Sequence, residues 1–416
     1  MTRTDLRRIS LRLGHRLQRG ILTMVLASAF SLFEVANHFA IADRVETPRW
    51  DAFVRSAGTG FVLDGKPFFV AGVNNHYLTF GSEQEVVRVL DDAVALGANV
   101  VRTFVQPVIG SLDGSVPTIW DWKTKAETSN LGVNGTYMLY WDGGNGKMAI
   151  NDGPDGLQKV DFLIEEARRR HLKLLIAFLD FWAYTGGAQQ MRAWYGSRDE
   201  YTFFFEDPRV KEDFRTWVRH VLRRVNPLTG LTYRDDPTIF GWELMNEPYG
   251  RPDRLREAWI AEMSAYVKSL DRNHMVSSGH ANVYNRLSDL SIPSIDFGTW
   301  HGYPLYYNLT PLQFNSLITD FCTLARKSQK PVLLEEFGYA RSNPDQAPAY
   351  QTWLDTIHDD SDCGGWMVWR LVSRQDSGRF PIDRHDQFDI RNDGSRIWDV
   401  LKAAAAKLRA KSDAAP

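Results

Sequence analysis

Cysteine is scarce in this chain of 416 residues, which contains only Cys322 and Cys363. Two thiols cannot build the disulfide framework that stabilises many small secreted domains. They could form one bridge in an oxidising compartment, and the sequence leaves open whether they meet. The protein must therefore fold around a hydrophobic core, for which its hydrophobic content of 44% is ordinary.

Net charge is also small, at −2 near neutral pH, and no basic run occurs beyond the first twenty residues. Because nucleic acids and other polyanions require a basic surface, neither class of partner is indicated. Histidines are scattered, without the close spacing of a metal-ligand set, at His171, His220, His274 and His280. We therefore expect a neutral partner, no cofactor and no metal ion.

The apolar run near the amino terminus, Ile21 to Phe33, is shorter than the roughly 20 residues that a membrane-spanning helix requires. It follows six arginines and precedes Ala40-Ile41-Ala42, which has the A-x-A form of a signal-peptide cleavage site. We predict that residues 1–42 are a signal peptide, and that the protein is exported to the periplasm or the extracellular space. An uncleaved amino-terminal anchor is the alternative.

Residues 43–416 read as a single α/β domain in which apolar strands alternate with amphipathic helices. The eight predicted strands are Phe68–Asn74, Ala98–Phe104, Leu172–Asp180, Thr238–Asn246, His274–Gly279, Ile295–His301, Val332–Glu336 and Gly365–Trp369. Asp64-Gly65 between apolar runs predicts a hairpin before the first strand. Residues 105–155 lack periodicity and predict a long loop after the second strand. This order predicts a (β/α)8 TIM barrel.

Two of these strands end in glutamate. The run from Thr238 ends in Asn246-Glu247-Pro248, and the run from Pro331 ends in Glu335-Glu336. The carboxyl ends of barrel strands form the catalytic face, so a strand-end glutamate there can act as an acid, a base or a nucleophile. Structural alternatives stay open for both motifs: a turn-and-cap tripeptide, and a buried acid paired with arginine or lysine.

Other polar residues fall at strand exits. Arg102 lies in an apolar strand and needs a carboxylate partner, either at the barrel mouth or in a structural ion pair. Asn74 ends the first strand, where we expect it to support the site. Glu335 and Glu336 are strand neighbours whose side chains should face opposite ways, so at most one is expected to reach the site.

These motifs resemble those of the clan of retaining glycoside hydrolases built on this barrel. The resemblance runs from about Phe61 to Trp369 and narrows to the endo-β-1,4-mannanase branch of glycoside hydrolase family 5. The segments that carry the narrower match are Phe205-Glu206-Asp207-Pro208, Tyr233 to Ile239, Trp242 to Pro248, Trp259 to Met263 and Val267 to Asp271.

The resemblance implies a role for each candidate residue. Glu247 would be the acid/base, and Glu336 the nucleophile, because the family's nucleophile directly precedes an aromatic-glycine pair. Arg102 would hold the nucleophile, and Asn246 would contact the sugar 2-hydroxyl. Supporting positions are implied for His301 and Tyr303 beside the nucleophile, Trp369 on the floor of the sugar site, and Trp182 in a loop.

The implied activity is cleavage of β-1,4-mannosidic linkages in mannan-type polysaccharides or manno-oligosaccharides, through a covalent glycosyl-enzyme. Separately, we expect the protein to be a monomer. Ionised Glu336 should raise the pKa of Glu247.

Three departures leave the sugar and endo or exo action open. Asp180-Phe181 stands where many mannanases carry two asparagines, Leu305-Tyr306-Tyr307 stands where they often carry tryptophan, and the loop over residues 105–155 is extended. Another retaining β-glycosidase, such as an exo-β-mannosidase or a β-glucanase, is the alternative, with an inactive carbohydrate-binding barrel as the remote one.

Overall fold

Eight parallel strands form the central sheet in the computed structural model of the protein. In sheet order they are Met275–Ser277, Ile239–Glu243, Lys173–Ala177, Val100–Phe104, Val70–Asn74, Gly365–Val368, Val332–Phe337 and Gly298–Gly302. The first and last of these are consecutive in the chain, and backbone hydrogen bonds join the segments around them, as from His301 to Ala281. The sheet is therefore a nearly closed barrel, and the predicted fold class is confirmed.

The structure describes residues 50–119, 131–282, 286–382 and 386–414, together with the backbone of Thr128–Ser129. The predicted signal peptide lies outside the described residues. In the described part of the chain, no helix is both long and apolar enough to cross a lipid bilayer.

Helices surround the barrel and connect its strands. They are Glu83–Leu96, Gln158–Arg169, Gly187–Trp194, Phe203–Glu206, Pro208–Arg223, Asp253–Leu270, Pro304–Tyr307, Pro311–Ser328, Gln346–Asp359 and Arg396–Ala414. The first shows how local sequence sets their limits. Ser82 caps its start in a reciprocal capping box with Glu85, and Gly97 ends it in the left-handed conformation at φ 92°.

A small antiparallel sheet precedes the barrel, as the hairpin signal predicts. Its strands are Val54–Ala57, Gly60–Leu63 and Lys66–Phe68. Phe61 packs edge-on against Phe240 and Phe297 inside the barrel, with ring centroids 5.1 and 5.5 Å apart. Phe240 is near the start of its strand, so this sheet covers the amino-terminal end of the barrel and leaves the carboxyl end for a site.

The segment from 105 to 155 is less irregular than its sequence predicts. Val108–Ser111, Leu139–Asp142 and Lys147–Ile150 form a three-stranded sheet, and Thr128–Ser129 pairs with Gly132–Val133. The prediction of an irregular loop is wrong for these stretches. Strands of two to four residues are too short to show a period of two, and their pairing depends on contacts between distant residues.

Cys322 and Cys363 form a disulfide, with Cα atoms 4.9 Å apart and a sequence separation of 41. The bridge joins helix Pro311–Ser328 to the loop before strand Gly365–Val368. The pairing left open by the sequence is therefore made in the folded chain.

Candidate active site

Arg102 lies at the centre of a buried charged cluster at the carboxyl ends of the strands. Its guanidinium contacts Glu336 Oε1 at 2.5 Å, Glu243 Oε2 at 2.6 Å and Glu335 Oε2 at 3.4 Å, and all four side chains are almost completely buried. Burial alone would lower the pKa of Arg102, but the three carboxylates raise it. One permanent positive charge thus compensates part of the charge of three acids.

Two asparagine side chains extend this cluster. Arg102 donates to Asn74 Oδ1 at 3.1 Å and to Asn246 Oδ1 at 2.9 Å. Asn74 in turn donates to the Glu335 carbonyl at 2.7 Å, and Asn246 to Asp180 Oδ1 at 2.9 Å. Both amides are therefore fixed at each end, and the structure brings these two predicted residues to the predicted arginine.

Glu247 follows the strand Ile239–Glu243 with a left-handed backbone at φ 48°. Non-glycine residues in this conformation are strained and concentrate at functional sites. Glu247 Oε1 is 2.6 Å from His301 Nδ1, and Oε2 accepts from Trp182 Nε1 at 2.6 Å. Its side chain remains 23% exposed, so a substrate can reach this carboxyl group.

Glu336 is the more deeply buried of the two candidate carboxylates. Its Oε1 accepts from Arg102, and its Oε2 accepts from the Tyr303 hydroxyl at 2.5 Å. His301 Nδ1 is 3.5 Å from the same Oε2. Glu247, His301 and Glu336 each offer an atom within 4.8 Å of the others. The two candidate carboxyl groups therefore face one another across a short gap.

The pKa shifts of these carboxyl groups differ from the expected ones. Burial would raise the pKa of Glu247, but the hydrogen bond and charge of His301 and the Trp182 hydrogen bond lower it further than burial raises it. Burial also raises the pKa of Glu336, against the opposing charges of His301 and Arg102. The expectation of a raised pKa for Glu247 is wrong, because the charge on His301 was not anticipated.

His301 carries that charge because three carboxylates surround it. Nδ1 approaches Glu247 and Glu336, and Nε2 is 3.0 Å from Glu335 Oε2. Burial lowers the pKa of His301, but these carboxylates raise it to about 10. The imidazole is therefore protonated near neutral pH and donates from both nitrogens.

Glu335 also reaches this cluster, so the prediction that at most one of the paired glutamates would do so is wrong. Strand Val332–Phe337 has an irregular register against its neighbour between Trp300 and His301, where Glu336 rather than Glu335 is the partner of His301. Such a bulge places two residues opposite one and breaks strict alternation. Both Glu335 and Glu336 therefore contact Arg102 and His301.

Glu243 was missed by the sequence reasoning. It is fully buried beside Arg102. Burial and the negative charge of Glu335 raise its pKa far above the usual value, against the opposing charge of Arg102, and this favours the protonated form of Glu243. The signal was available, because an acid in the apolar run from Ile239 needs a partner just as Arg102 does.

The two candidate tryptophans lie on different sides of the cluster. Trp182 contacts Glu247 directly. Trp369 stacks on Phe104, with centroids 6.2 Å apart and planes at 18°, and the Arg102 guanidinium lies 4.8 Å from the centre of the same Phe104 ring. Trp369 thus joins the site through an aromatic layer, and its half-buried ring is available to a ligand.

Two groups among the described residues have the spacing of metal ligands. One comprises Cys322, Cys363 and Asp360, but both sulfur atoms are already used in the disulfide. The other is Glu247, His301 and Glu336, in which His301 Nδ1 holds a proton between the carboxylates. That arrangement favours proton transfer and nucleophilic chemistry over metal binding.

Comparisons with known proteins agree with this geometry. Residues 151–362, half of the chain, match the family model described as GH family 5 beta-mannosidase-like. The chain is 30% identical over 379 residues to Mannan endo-1,4-beta-mannosidase 1 of Oryza sativa subsp. japonica, covering 77% of this chain and 78% of that protein.

Solved structures give the same result. The endo-1,4-beta-mannanase from Rhizomucor miehei has a TM-score of 0.73 and 29% identity, covering 86% of this chain and 100% of that one. The endo-beta-1,4-mannanase from Thermotoga petrophila has a TM-score of 0.71 and 27% identity, covering 85% and 79%. The chain therefore belongs to glycoside hydrolase family 5.

Proposed function

We propose that the protein is a retaining glycoside hydrolase that cleaves β-1,4-mannosidic linkages inside mannan-type polysaccharides. The observation that carries the proposal is the gap between Glu247 and Glu336, whose nearest carboxylate oxygens lie within 4.8 Å. Retaining enzymes hold their two carboxyl groups about 5 Å apart, whereas inverting enzymes separate them by roughly 6.5–9.5 Å to admit a water molecule.

In this mechanism Glu336 attacks the anomeric carbon, and Glu247 protonates the departing glycosidic oxygen. The donors on both Glu336 oxygens, Arg102 and Tyr303, hold its carboxylate in one orientation. Water then enters on the side the leaving group has vacated, Glu247 removes its proton, and the glycosyl-enzyme is hydrolysed with net retention.

The proton for the leaving group is held by Glu247 together with His301. Protonated His301 donates to Glu247 Oε1, and this lowers the pKa of the carboxyl group. A glycosidic oxygen beside Glu247 is an acceptor and favours the protonated carboxyl form. Transfer from His301 through Glu247 to that oxygen would leave His301 neutral until water restores the proton.

An aromatic surface beside the acid/base residue supports cleavage within a chain. Trp182, which contacts Glu247, stacks on Tyr249 with centroids 5.9 Å apart and planes at 28°. Tyr201, 37% exposed, packs edge-on against Tyr249 at 5.9 Å. This aromatic surface, Trp182, Tyr249 and Tyr201, begins where the leaving sugar departs, and its rings suit stacking against further sugars.

The substrate assignment has independent support from the names of the relatives, which are mannan endo-1,4-beta-mannosidases and endo-mannanases. We also propose that the protein is exported and acts as a monomer. The A-x-A motif at Ala40-Ile41-Ala42 and the disulfide between Cys322 and Cys363 support export, since structural disulfides persist in oxidising compartments.

The test is product analysis on β-1,4-mannan, glucomannan and cellulose oligosaccharides of equal length. We expect the highest kcat/KM on the mannan series, with early products of mixed length. Mannose as the sole early product would indicate exo action and contradict the endo assignment. A higher kcat/KM on the glucan would refute the mannan assignment. Binding without cleavage of any substrate would leave only a carbohydrate-binding barrel.

A further inference from the structure

Asp180 is a buried carboxyl group beside the two catalytic candidates. It is 2% exposed and lies just beyond strand Lys173–Ala177, where its backbone bridges to Asn246. Its Oδ1 accepts from Asn246 Nδ2 at 2.9 Å and from the Trp182 backbone N–H at 3.3 Å. Asp180 therefore contacts Asn246 directly, and it is linked to Glu247 through Trp182, whose indole N–H donates to Glu247.

The contacts of Asn246 permit only one orientation of its amide. Its oxygen accepts from Arg102, and its nitrogen donates to Asp180. Turning the amide over would set its oxygen against an acid and its nitrogen against a guanidinium, which is unfavourable at both ends. Asp180 and Arg102 together therefore keep one N–H of Asn246 available for a bound sugar.

Asp180 also lies within electrostatic range of both catalytic candidates. Burial raises its pKa to about 7, hydrogen bonds from Asn246 and Trp182 oppose the shift, and the charges of Glu247 and Glu336 add to it. The positively charged Arg102 is connected to Asp180 by hydrogen bonds through the Asn246 amide. Ionisation of Asp180 near neutral pH thus places a third negative charge beside the catalytic pair.

We propose that Asp180 is a positioning residue that holds the Asn246 amide in its working orientation and whose negative charge extends activity toward alkaline pH. A like charge near a carboxyl group disfavours its ionisation, so ionised Asp180 favours retention of the proton that Glu247 shares with His301 and must deliver to the leaving group. This inference rests on the proposed function of Glu247 as the acid.

The charge is tested by Asp180→Asn, which keeps an oxygen acceptor for Asn246 and Trp182 but cannot ionise. We expect maximal kcat within about threefold of the wild-type value, and an alkaline limb of kcat/KM displaced to lower pH by roughly half to one unit, the size of a like-charge effect. Asp213→Asn is the matched control, because Asp213 is a partly buried acid whose pKa is also raised by burial, and it accepts a hydrogen bond from the Tyr195 hydroxyl outside the site. It should leave the profile unchanged.

The hydrogen bond from Asn246 to Asp180 is tested by Asp180→Ala, which removes the acceptor and should lower kcat/KM at least tenfold at every pH. Asp180→Asn, which keeps an acceptor, should have a rate near that of the wild type but an alkaline limb at lower pH. If Asp180→Asn does not fold, Asp180→Ser removes the same charge while keeping an oxygen, and the same displacement is expected. The inference is overturned if the alkaline limb of kcat/KM for these charge-removing variants coincides with that of the wild type or moves to higher pH. If the wild-type protein showed no activity on any of the substrates, the proposed function itself would be refuted.

Discussion

Glu247 and Glu336 have different surroundings, and these predict different roles. Glu336 is held by a guanidinium and a phenol in a nearly closed environment, whereas Glu247 is partly exposed and joined to a protonated imidazole. A fixed, buried carboxylate suits attack on carbon, and an accessible one with a proton source suits acid/base work.

Azide rescue of the alanine variants separates these roles. In Glu247→Ala, an aryl glycoside with a good leaving group should still form the glycosyl-enzyme, and azide should trap it as the β-glycosyl azide. In Glu336→Ala, azide should enter the vacated space and give the α anomer. Without azide, Glu336→Ala should lose several orders of magnitude in kcat.

Proton NMR of the two azide products checks this assignment. Glu335→Ala is the control, because Glu335 contacts the same arginine and histidine but is not one of the two carboxyl groups that face each other at the gap. Exchanged anomers, or a nucleophile-deficient phenotype for Glu335→Ala in place of Glu336→Ala, would contradict the assignment.

His301 should also link stability to pH. Its folded pKa of about 10 lies above the unfolded value near 6.5, so protonation stabilises the fold fully below pH 6.5, and this contribution is lost as pH rises through 10. The stability advantage of wild type over His301→Asn should therefore shrink between pH 6.5 and 10, by an amount on the order of a few kcal/mol. Urea unfolding at several pH values measures it, and parallel pH dependences would contradict it.

Most of the candidate site residues could be singled out from sequence because they stand at strand ends, where position along the chain fixes position in the barrel. Arg102, Asn246 and Glu336 are brought together in this way. The contribution of Glu335 could not be anticipated, since the bulge beside it depends on pairing with another strand. The charge of His301 arises from three carboxylates that only the folded chain brings together.

Among the secondary-structure elements, those with strong local signals were the most predictable. The limits of helix Glu83–Leu96 can be read from its sequence, because the Ser82 cap and the terminal Gly97 are both local signals. The sheet within 105–155 was not predictable, because its short strands are stabilised by one another and by contacts such as Trp194 Nε1 to the Ile109 carbonyl.

The disulfide should stabilise the elements it joins. Closing a loop of this length typically contributes about 2–4 kcal/mol. The double variant Cys322→Ser/Cys363→Ser should show a lower free energy of unfolding by about that amount, with kcat nearly unchanged because neither residue contacts the site. Urea unfolding with and without reductant provides the check: reductant should destabilise the wild type and leave the double variant unaffected, and equal effects on both would contradict a bridge.

At the scale of the whole molecule, the barrel fold is confirmed. Export remains a prediction, which can be tested by identifying the first residue of the mature protein. We expect the mature protein to begin near Asp43 outside the cytoplasm, because the A-x-A motif ends at Ala42. Amino-terminal sequencing of exported protein tests this, with Ala42→Arg as a variant that should block cleavage. Recovery of Met1 or Thr2 from the exported wild type would favour an anchor.

The position of Arg102 has a consequence for altering this enzyme. Through its side chain, strand Val100–Phe104 is tied to residues of strands Val70–Asn74, Ile239–Glu243 and Val332–Phe337. Removing one partner of a buried charged group typically costs about 3–5 kcal/mol. A library of variants aimed at new substrates should therefore leave Arg102 and its carboxylate partners unchanged. It should vary the aromatic surface, Trp182, Tyr249 and Tyr201, where substitutions can change sugar preference without removing a partner of the buried guanidinium.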